Sequence, residues 1–120
     1  MEINDDLRKD ILSYRFDSVT EKAALYLGFE NKNELEKLIK EHTDIDISII
    51  KVPIHYDSIE DEDFEYFSNL DTAKEVFNCP ILSFDENVPR IVNVVDFIIN
   101  QFPVDHTEAY NILFDLENLN

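Results

Sequence analysis

Apolar residues recur every three or four positions over most of the chain, which is the spacing of the buried face of an α-helix. This pattern predicts a first helix that begins after Asn4 and continues to about residue 15, and a second helix between Ser18 and Gly28. In the second helix, Ser18 and Glu21 fit a capping box, and Gly28 lies where a left-handed residue commonly ends a helix. A third helix is predicted to begin at Asn31, a residue type that favours N-caps.

The strongest helical pattern lies in the second half of the chain. Apolar residues form a broad, continuous stripe from Pro89 to Phe102, and Asn87 is predicted to cap this helix with Pro89 in its first turn. Two shorter helices are predicted within residues 57–78, and a last helix is predicted to open at Asp105.

Two short segments favour strands instead of helices. They cover residues 45–55 and 81–84, and the first alternates with the period of two typical of a strand. Pro53 predicts an edge position, because proline cannot donate to a neighbouring strand. The sequence therefore predicts a predominantly α fold: a compact bundle of about six or seven short helices, with at most a minor two-stranded β element. Residues 1–120 are expected to form a single acidic helical domain, since this is about the size of one domain.

Charge is distributed unevenly along the chain. The sequence carries 27 Asp and Glu residues against 10 Lys and Arg residues, which gives a formal net charge of −17. Residues 1–51 hold eight of the basic residues and 12 of the acidic ones, whereas residues 52–120 hold two and 15. Uniform solubilisation does not require this asymmetry, but a surface that binds a basic partner does. A field of this sign repels nucleic acid and anionic membranes and speeds association with basic proteins.

The acidic residues are densest within residues 57–65, where six carboxylates occur. Tyr56 and Tyr66 flank them and belong to a residue type that is common in binding hot spots. The alternative interpretation is a solvated acidic face whose aromatic side chains point inward. The predicted partner-binding residues are this cluster and the carboxylates that follow it: Tyr56, Asp57, Glu60, Asp61, Glu62, Asp63, Glu65, Tyr66, Asp71, Glu75, Asp85 and Glu86.

The sequence contains no strong motif for catalysis or for binding a cofactor. The only glycine, Gly28, excludes phosphate-binding loops and dinucleotide fingerprints, which need two or three glycines. The EF-hand pattern of calcium ligands fits neither from Asp57 nor from Asp85, and the three histidines lack the spacing of a zinc motif. Cys79, the only cysteine, is expected to be a buried, inert thiol. We therefore predict no enzymatic activity, no metal and no cofactor.

These observations favour an inhibitory protein that neutralises a basic protein partner. The best match in general character is a bacterial immunity protein or antitoxin that blocks a toxin nuclease, because nucleases hold phosphates in positively charged clefts that an acidic face can fill. Two alternatives stay open. One is a phage-type nucleic-acid mimic of the anti-restriction or anti-CRISPR kind. The other is an acidic adaptor subunit, which should expose an apolar patch beside its acidic one.

The composition also predicts a cytoplasmic protein that binds neither nucleic acid nor membrane directly. The first six residues are acidic and polar, unlike a secretory or mitochondrial leader. No apolar run reaches the roughly 18 residues that a membrane-spanning helix needs. A single cysteine rules out an internal disulfide, which suits a reducing compartment.

Overall fold

The computed structural model describes residues 5–55 and 70–118, with the side chains of residues 70–73 and 115–118 excepted. Within those ranges, six helices occur: α1 (Asp5–Leu12), α2 (Glu21–Tyr26), α3 (Lys32–His42), α4 (Leu70–Asn78), α5 (Val94–Gln101) and α6 (His106–Asn118). The same ranges contain four strands: β1 (Tyr14–Ser18), β2 (Lys51–His55), β3 (Ile81–Asp85) and β4 (Val88–Val92).

The four strands form one sheet in the order β1-β2-β3-β4. Strands β1 and β2 are antiparallel, as are β3 and β4, whereas β2 and β3 run parallel. The prediction of a predominantly α bundle with a minor two-stranded element is therefore wrong, and the fold is mixed α/β. Of the two predicted strands, 81–84 is confirmed within β3, and only the second half of 45–55 forms β2.

Strand β1 lies where the first helix was predicted to continue. The helical spacing of apolar residues runs past Leu12, where α1 ends. Every residue of β1 has a partner in β2, from Tyr14 opposite His55 to Ser18 opposite Lys51. Pairing with a distant strand decides the conformation here, and local spacing carries no information about it.

Strand β4 occupies the first part of the helix predicted over residues 89–102. Helix α5 begins only at Val94 and is capped by Asn93, whose side-chain oxygen accepts a hydrogen bond from the Asp96 N–H at 2.7 Å. The predicted start was wrong because the valines and isoleucines of β4 extend the apolar stripe of the helix backwards. Both elements bury apolar residues, so the stripe does not show where one ends and the other begins.

The turn between β3 and β4 consists of Glu86 and Asn87, with φ angles of 51° and 70°. Two successive left-handed residues are typical of a type I′ turn, whose twist matches that of the strands it joins. Asparagine tolerates this conformation, whereas for glutamate it costs about 1–2 kcal/mol. Asn87, predicted as a helix cap, is therefore a turn residue.

Helix ends in the first half of the chain agree more closely with the sequence. Asn31 caps α3, as its side-chain oxygen accepts a hydrogen bond from the Glu34 N–H at 3.0 Å. Gly28 follows α2 with a φ of +93°, a conformation that residues with a Cβ rarely adopt. The predicted cap of α2 is displaced by two residues, because Thr20 rather than Ser18 caps that helix.

Different helices cover the two faces of the sheet, and each face has its own core. Successive residues of a strand point to opposite faces, so Ile81 packs in one core and Leu82 in the other. The first core contains buried residues of α1, α4, α5 and α6. The second contains buried residues of α2 and α3 together with those of β2. The sheet is the middle layer of three, with one set of helices on each side.

Candidate functional site

Most of the predicted partner-binding residues lie outside the described residues: Tyr56, Asp57, Glu60, Asp61, Glu62, Asp63, Glu65 and Tyr66. Asp71 belongs to α4, but its side chain is not described. The other three predicted residues, Glu75 in α4, Asp85 at the end of β3 and Glu86 in the turn, are exposed to solvent. The acidic site can therefore be examined at these three positions.

Two of these three carboxylates form ion pairs. Glu75 Oε1 lies 3.3 Å from Lys51 Nζ, and Asp85 Oδ2 lies 3.7 Å from Arg90 Nη1. The acidic side chains stay 62% and 65% exposed, so each pair contributes little to stability. Lys51 pairs with Ile81 at the start of β3, which puts Glu75 and Asp85 at opposite ends of that strand, about 13 Å apart along it. The described carboxylates therefore do not converge on one point.

The fold nevertheless separates charge between the two helical layers. The four helices over the first core, α1, α4, α5 and α6, contain nine Asp and Glu residues against three Lys and Arg residues. The two helices over the second core, α2 and α3, contain four of each. We name the first set the acidic layer and the second the neutral layer. The charge asymmetry of the sequence thus becomes an asymmetry between two sides of the molecule.

Pro53 lies in the interior of the sheet, which corrects the predicted edge position. Strand β2 is flanked by β1 and β3, and Pro53 lies opposite Phe16 of β1. Towards β3, Lys51 donates its N–H to the Pro80 carbonyl at 2.9 Å. The next donor in this parallel ladder would be the N–H of residue 53, directed at the Leu82 carbonyl, and proline has none. The register between β2 and β3 accordingly contains a single pair, Lys51 with Ile81.

The hydroxyl of Tyr26 replaces the next acceptor in the hydrogen-bond ladder between β2 and β3. The N–H of His55 points to the same side of β2 as that of Lys51, because backbone donors alternate along a strand. Instead of meeting a carbonyl of β3, it donates to the Tyr26 hydroxyl at 3.0 Å. A side chain from α2 therefore reaches between the two parallel strands at the end where they are not paired.

A cleft of about 190 Å³ opens between β2 and β3 at this point. Four of the residues that line it are aromatic: Tyr14, Tyr26, Phe84 and Phe97. Pro53, Leu82, Ser83 and Gln101 contribute to the remainder, and no charged side chain lines the cleft among the described residues. Ser83 is only 4% exposed, and within the part of the chain that the structure describes its hydroxyl forms no hydrogen bond. The cleft thus combines aromatic side chains with the hydroxyl of Ser83, which can both donate and accept a hydrogen bond.

Tyr14 links the cleft to a hydrogen-bonded pair of a histidine and a carboxylate at its edge. Its ring centroid lies 4.7 Å from that of His55, and His55 Nε2 lies 2.8 Å from Asp10 Oδ1. Burial raises the pKa of the Tyr14 hydroxyl above its ordinary value of 10.0, and the nearby Tyr26 and Asp10 raise it further. Tyr14 is therefore a neutral phenol at any physiological pH.

The raised pKa of Tyr14 predicts a loss of stability in alkaline solution. The folded state holds this proton more tightly than the unfolded state, so its contribution is complete below pH 10.0 and is lost as the pH rises through the folded-state pKa. We expect Tyr14→Phe to flatten the fall of the unfolding free energy above pH about 10, as measured by urea denaturation at a series of pH values. Tyr110→Phe, at a position 53% exposed on α6, is the control and should leave the fall unchanged. Identical curves for Tyr14→Phe and the parent would refute the interpretation.

Cys79, His42 and His106 do not line the cleft. Cys79 is half-buried, its Sγ lies 3.3 Å from the Val76 carbonyl, and burial raises the pKa of its thiol. His42 lies in the last turn of α3, and His106 opens α6. Among the side chains that the structure describes, no group of three or more His, Cys, Asp or Glu residues is arranged to hold a metal ion.

Sequence analysis did not identify the cleft. The one local signal is Pro53, a proline within a β-branched segment, and it was assigned to an edge strand. The contact between Tyr26 and His55 spans 29 positions, so no local pattern could indicate it.

Comparison of the chain with protein-family models, with curated proteins and with solved structures found no match. Over residues 5–55 and 70–118, no helix has both the length and the apolar composition needed to cross a membrane.

Proposed function

We propose that the protein is an inhibitory binding protein that neutralises a basic protein partner, most specifically an immunity protein or antitoxin against a toxin nuclease. The observation that carries this proposal is the separation of charge between the two helical layers. Nine acidic residues against three basic ones on one side create a directional negative field, which raises the rate at which a basic partner arrives in the correct orientation.

The state of the described carboxylates supports a binding role for the acidic layer. Glu75 is paired with Lys51, yet 62% of its side chain remains exposed. Asp96 is near His106 at 3.5 Å, with 43% of its side chain exposed. Weak, solvated pairs of this kind exchange readily for pairs with a partner, because little free energy is lost when they open.

The proposed location is the cytoplasm, where nuclease inhibitors protect the cell that makes the toxin. Cys79 is a free cysteine, which suits a reducing compartment where thiols stay reduced.

An acidic adaptor subunit is the second candidate, and exposed apolar side chains favour it. Leu25 and Tyr26 on α2 are 61% and 49% exposed, and Val88 at the start of β4 is 54% exposed. An adaptor that binds through such residues should hold its partner equally well at low and high salt, whereas an electrostatic inhibitor should not.

The test begins with affinity capture from the source cells at low and at moderate salt. The expected result is one basic protein that binds in a one-to-one complex and loses its nuclease activity when bound. A partner that is acidic or neutral, or a basic partner whose activity is unchanged in the complex, would contradict the proposal.

Two double variants with the same net charge then test the position of the acidic layer. The first variant reverses charge on α4 and α5 and combines Glu75→Lys with Asp96→Lys. The control reverses charge on α2 and α3 and combines Glu21→Lys with Glu41→Lys. Each pair combines one residue of a first helical turn with one of a later turn, so the cost to each helix is similar. We expect the first variant to lower the association rate constant for the purified partner about tenfold at low salt, and the control about twofold or less. Equal slowing by both would show that only net charge matters.

A further inference from the structure

We propose that the cleft between β2 and β3 binds the guanidinium group of an arginine side chain from the basic partner. This assignment rests on the proposed function for the source of the arginine, whereas the affinity of the cleft for a guanidinium ion can be measured on the protein alone. The carrying observation is a cavity lined by four aromatic residues, beside a ladder position at which Pro53 supplies no N–H, in a molecule with a net charge of −17.

The walls of the cleft suit a flat cation. Of its four aromatic residues, Tyr26 and Phe84 are 49% and 38% exposed, whereas Phe97 is buried behind Tyr14. No lysine, arginine or histidine lines the cleft among the described residues. The face of an aromatic ring is electronegative and attracts a cation placed over it. Guanidinium is planar and weakly hydrated, so it stacks on such rings at a lower desolvation cost than an ammonium ion.

The cleft contains polar atoms that can accept hydrogen bonds from a guest. The Leu82 carbonyl lacks its ladder donor from residue 53, because Pro53 has no N–H. Ser83 is 4% exposed, and its hydroxyl forms no hydrogen bond with any residue that the structure describes. Gln101 adds a side-chain amide. A guanidinium ion carries five N–H donors and no acceptor, which matches this set.

Size and charge agree with the same ligand. A volume of about 190 Å³ accommodates a planar group of about six heavy atoms, the size of a guanidinium group with two methylene carbons. Asp10 lies beside Tyr14 and His55 at one edge, and Asp85 ends β3 at the unpaired end of the cleft. Each carboxylate already lies next to a basic side chain, His55 for Asp10 and Arg90 for Asp85, so the preference for a cation comes mainly from the net charge of the molecule.

The test titrates the isotope-labelled full chain with ethylguanidinium, ethylammonium and ethylurea at equal ionic strength, followed by amide chemical shifts. Ethylurea is the uncharged isostere of ethylguanidinium. We expect saturable shifts at Ser83, Phe84 and His55 with ethylguanidinium, and at least tenfold weaker binding of the other two probes. Equal binding of ethylurea or of ethylammonium would overturn the assignment. Shifts spread over the acidic layer without saturation would also overturn it.

Two variants then test whether the guanidinium ion binds in the cleft. Tyr26→Leu removes one aromatic wall and should weaken ethylguanidinium binding about fivefold, whereas Tyr110→Leu on α6 should leave it unchanged. Ser83→Ala removes an acceptor with little change in volume, so it keeps the test decisive if Tyr26→Leu fails to fold. Undiminished binding by the Ser83→Ala protein together with undiminished binding by a folded Tyr26→Leu protein would contradict the proposal. A basic partner that binds normally to these variants would leave the proposed function standing and remove the cleft from it.

Discussion

Phe97→Ala is expected to lower the free energy of unfolding by about 3–5 kcal/mol. Phe97 on α5 is 4% exposed, and its ring lies 5.1 Å from that of Tyr14 and 5.9 Å from that of Phe16, both in edge-to-face geometry. Alanine would remove the buried ring and leave a cavity between α5 and the sheet. A domain of this size has an unfolding free energy of about 5–15 kcal/mol in total. The expected loss is therefore a large fraction of that free energy.

Urea denaturation monitored by circular dichroism measures this loss, with Phe97→Leu as the matched control. Leucine keeps much of the volume but loses the ring contacts, so its cost should be clearly smaller than that of alanine. A loss below about 1 kcal/mol for the alanine variant would mean that α5 does not pack on the sheet as described.

Leu82→Ala is expected to cost about 2–5 kcal/mol, through the core on the opposite face of the sheet. Leu82 is 1% exposed and packs with α2 and α3, although its neighbour Ile81 packs with the acidic layer. The substitution tests whether the sheet has two separate cores.

The matched control for Leu82→Ala is Val88→Ala in the same hairpin. Val88 is 54% exposed, so its truncation should change the unfolding free energy by no more than about 0.5 kcal/mol. Similar losses at both positions, measured by the same urea denaturation, would contradict the assignment of faces in β3.

The helices that depend on local signals could be predicted from the sequence. The caps at Asn31 and the left-handed residue at Gly28 act within a few residues of themselves, so their effect is visible in a short window. The start of the last helix, α6, also depends on a local signal, because the Asp105 side chain accepts a hydrogen bond from the Glu108 N–H at 2.8 Å.

The sheet could not be predicted in the same way, because its strands depend on partners far along the chain. Strand β1 reads as the continuation of a helix until its pairing with β2 is known. Pro53 has two possible meanings, an edge strand or an interrupted ladder, and only the position of β3 decides between them. The cleft could not be predicted for the same reason, since it exists only where β2 and β3 are brought together.

The charge asymmetry shows the opposite case, in which a coarse property of the sequence carries over to the fold. Lys22, Lys32, Lys37 and Lys40 lie in the neutral layer, away from α4, α5 and α6. Lys51 departs from this pattern, because it is part of β2 and reaches Glu75. Residue counts along the chain thus indicated where acidic residues are in surplus, whereas the individual ion pairs required the path of the chain.

The interrupted ladder at Pro53 has a consequence for the order of folding. Strands β3 and β4 are joined by a two-residue turn, so their hairpin closes a short loop and can form within microseconds. Strands β1 and β2 meet only when residues 33 positions apart come together, which costs more chain entropy and takes longer. Only one residue pair joins β2 to β3, so few backbone hydrogen bonds cross between the two antiparallel strand pairs. We therefore expect the β3–β4 hairpin and the β1–β2 pair to form as separate cooperative units that are joined late by side-chain packing.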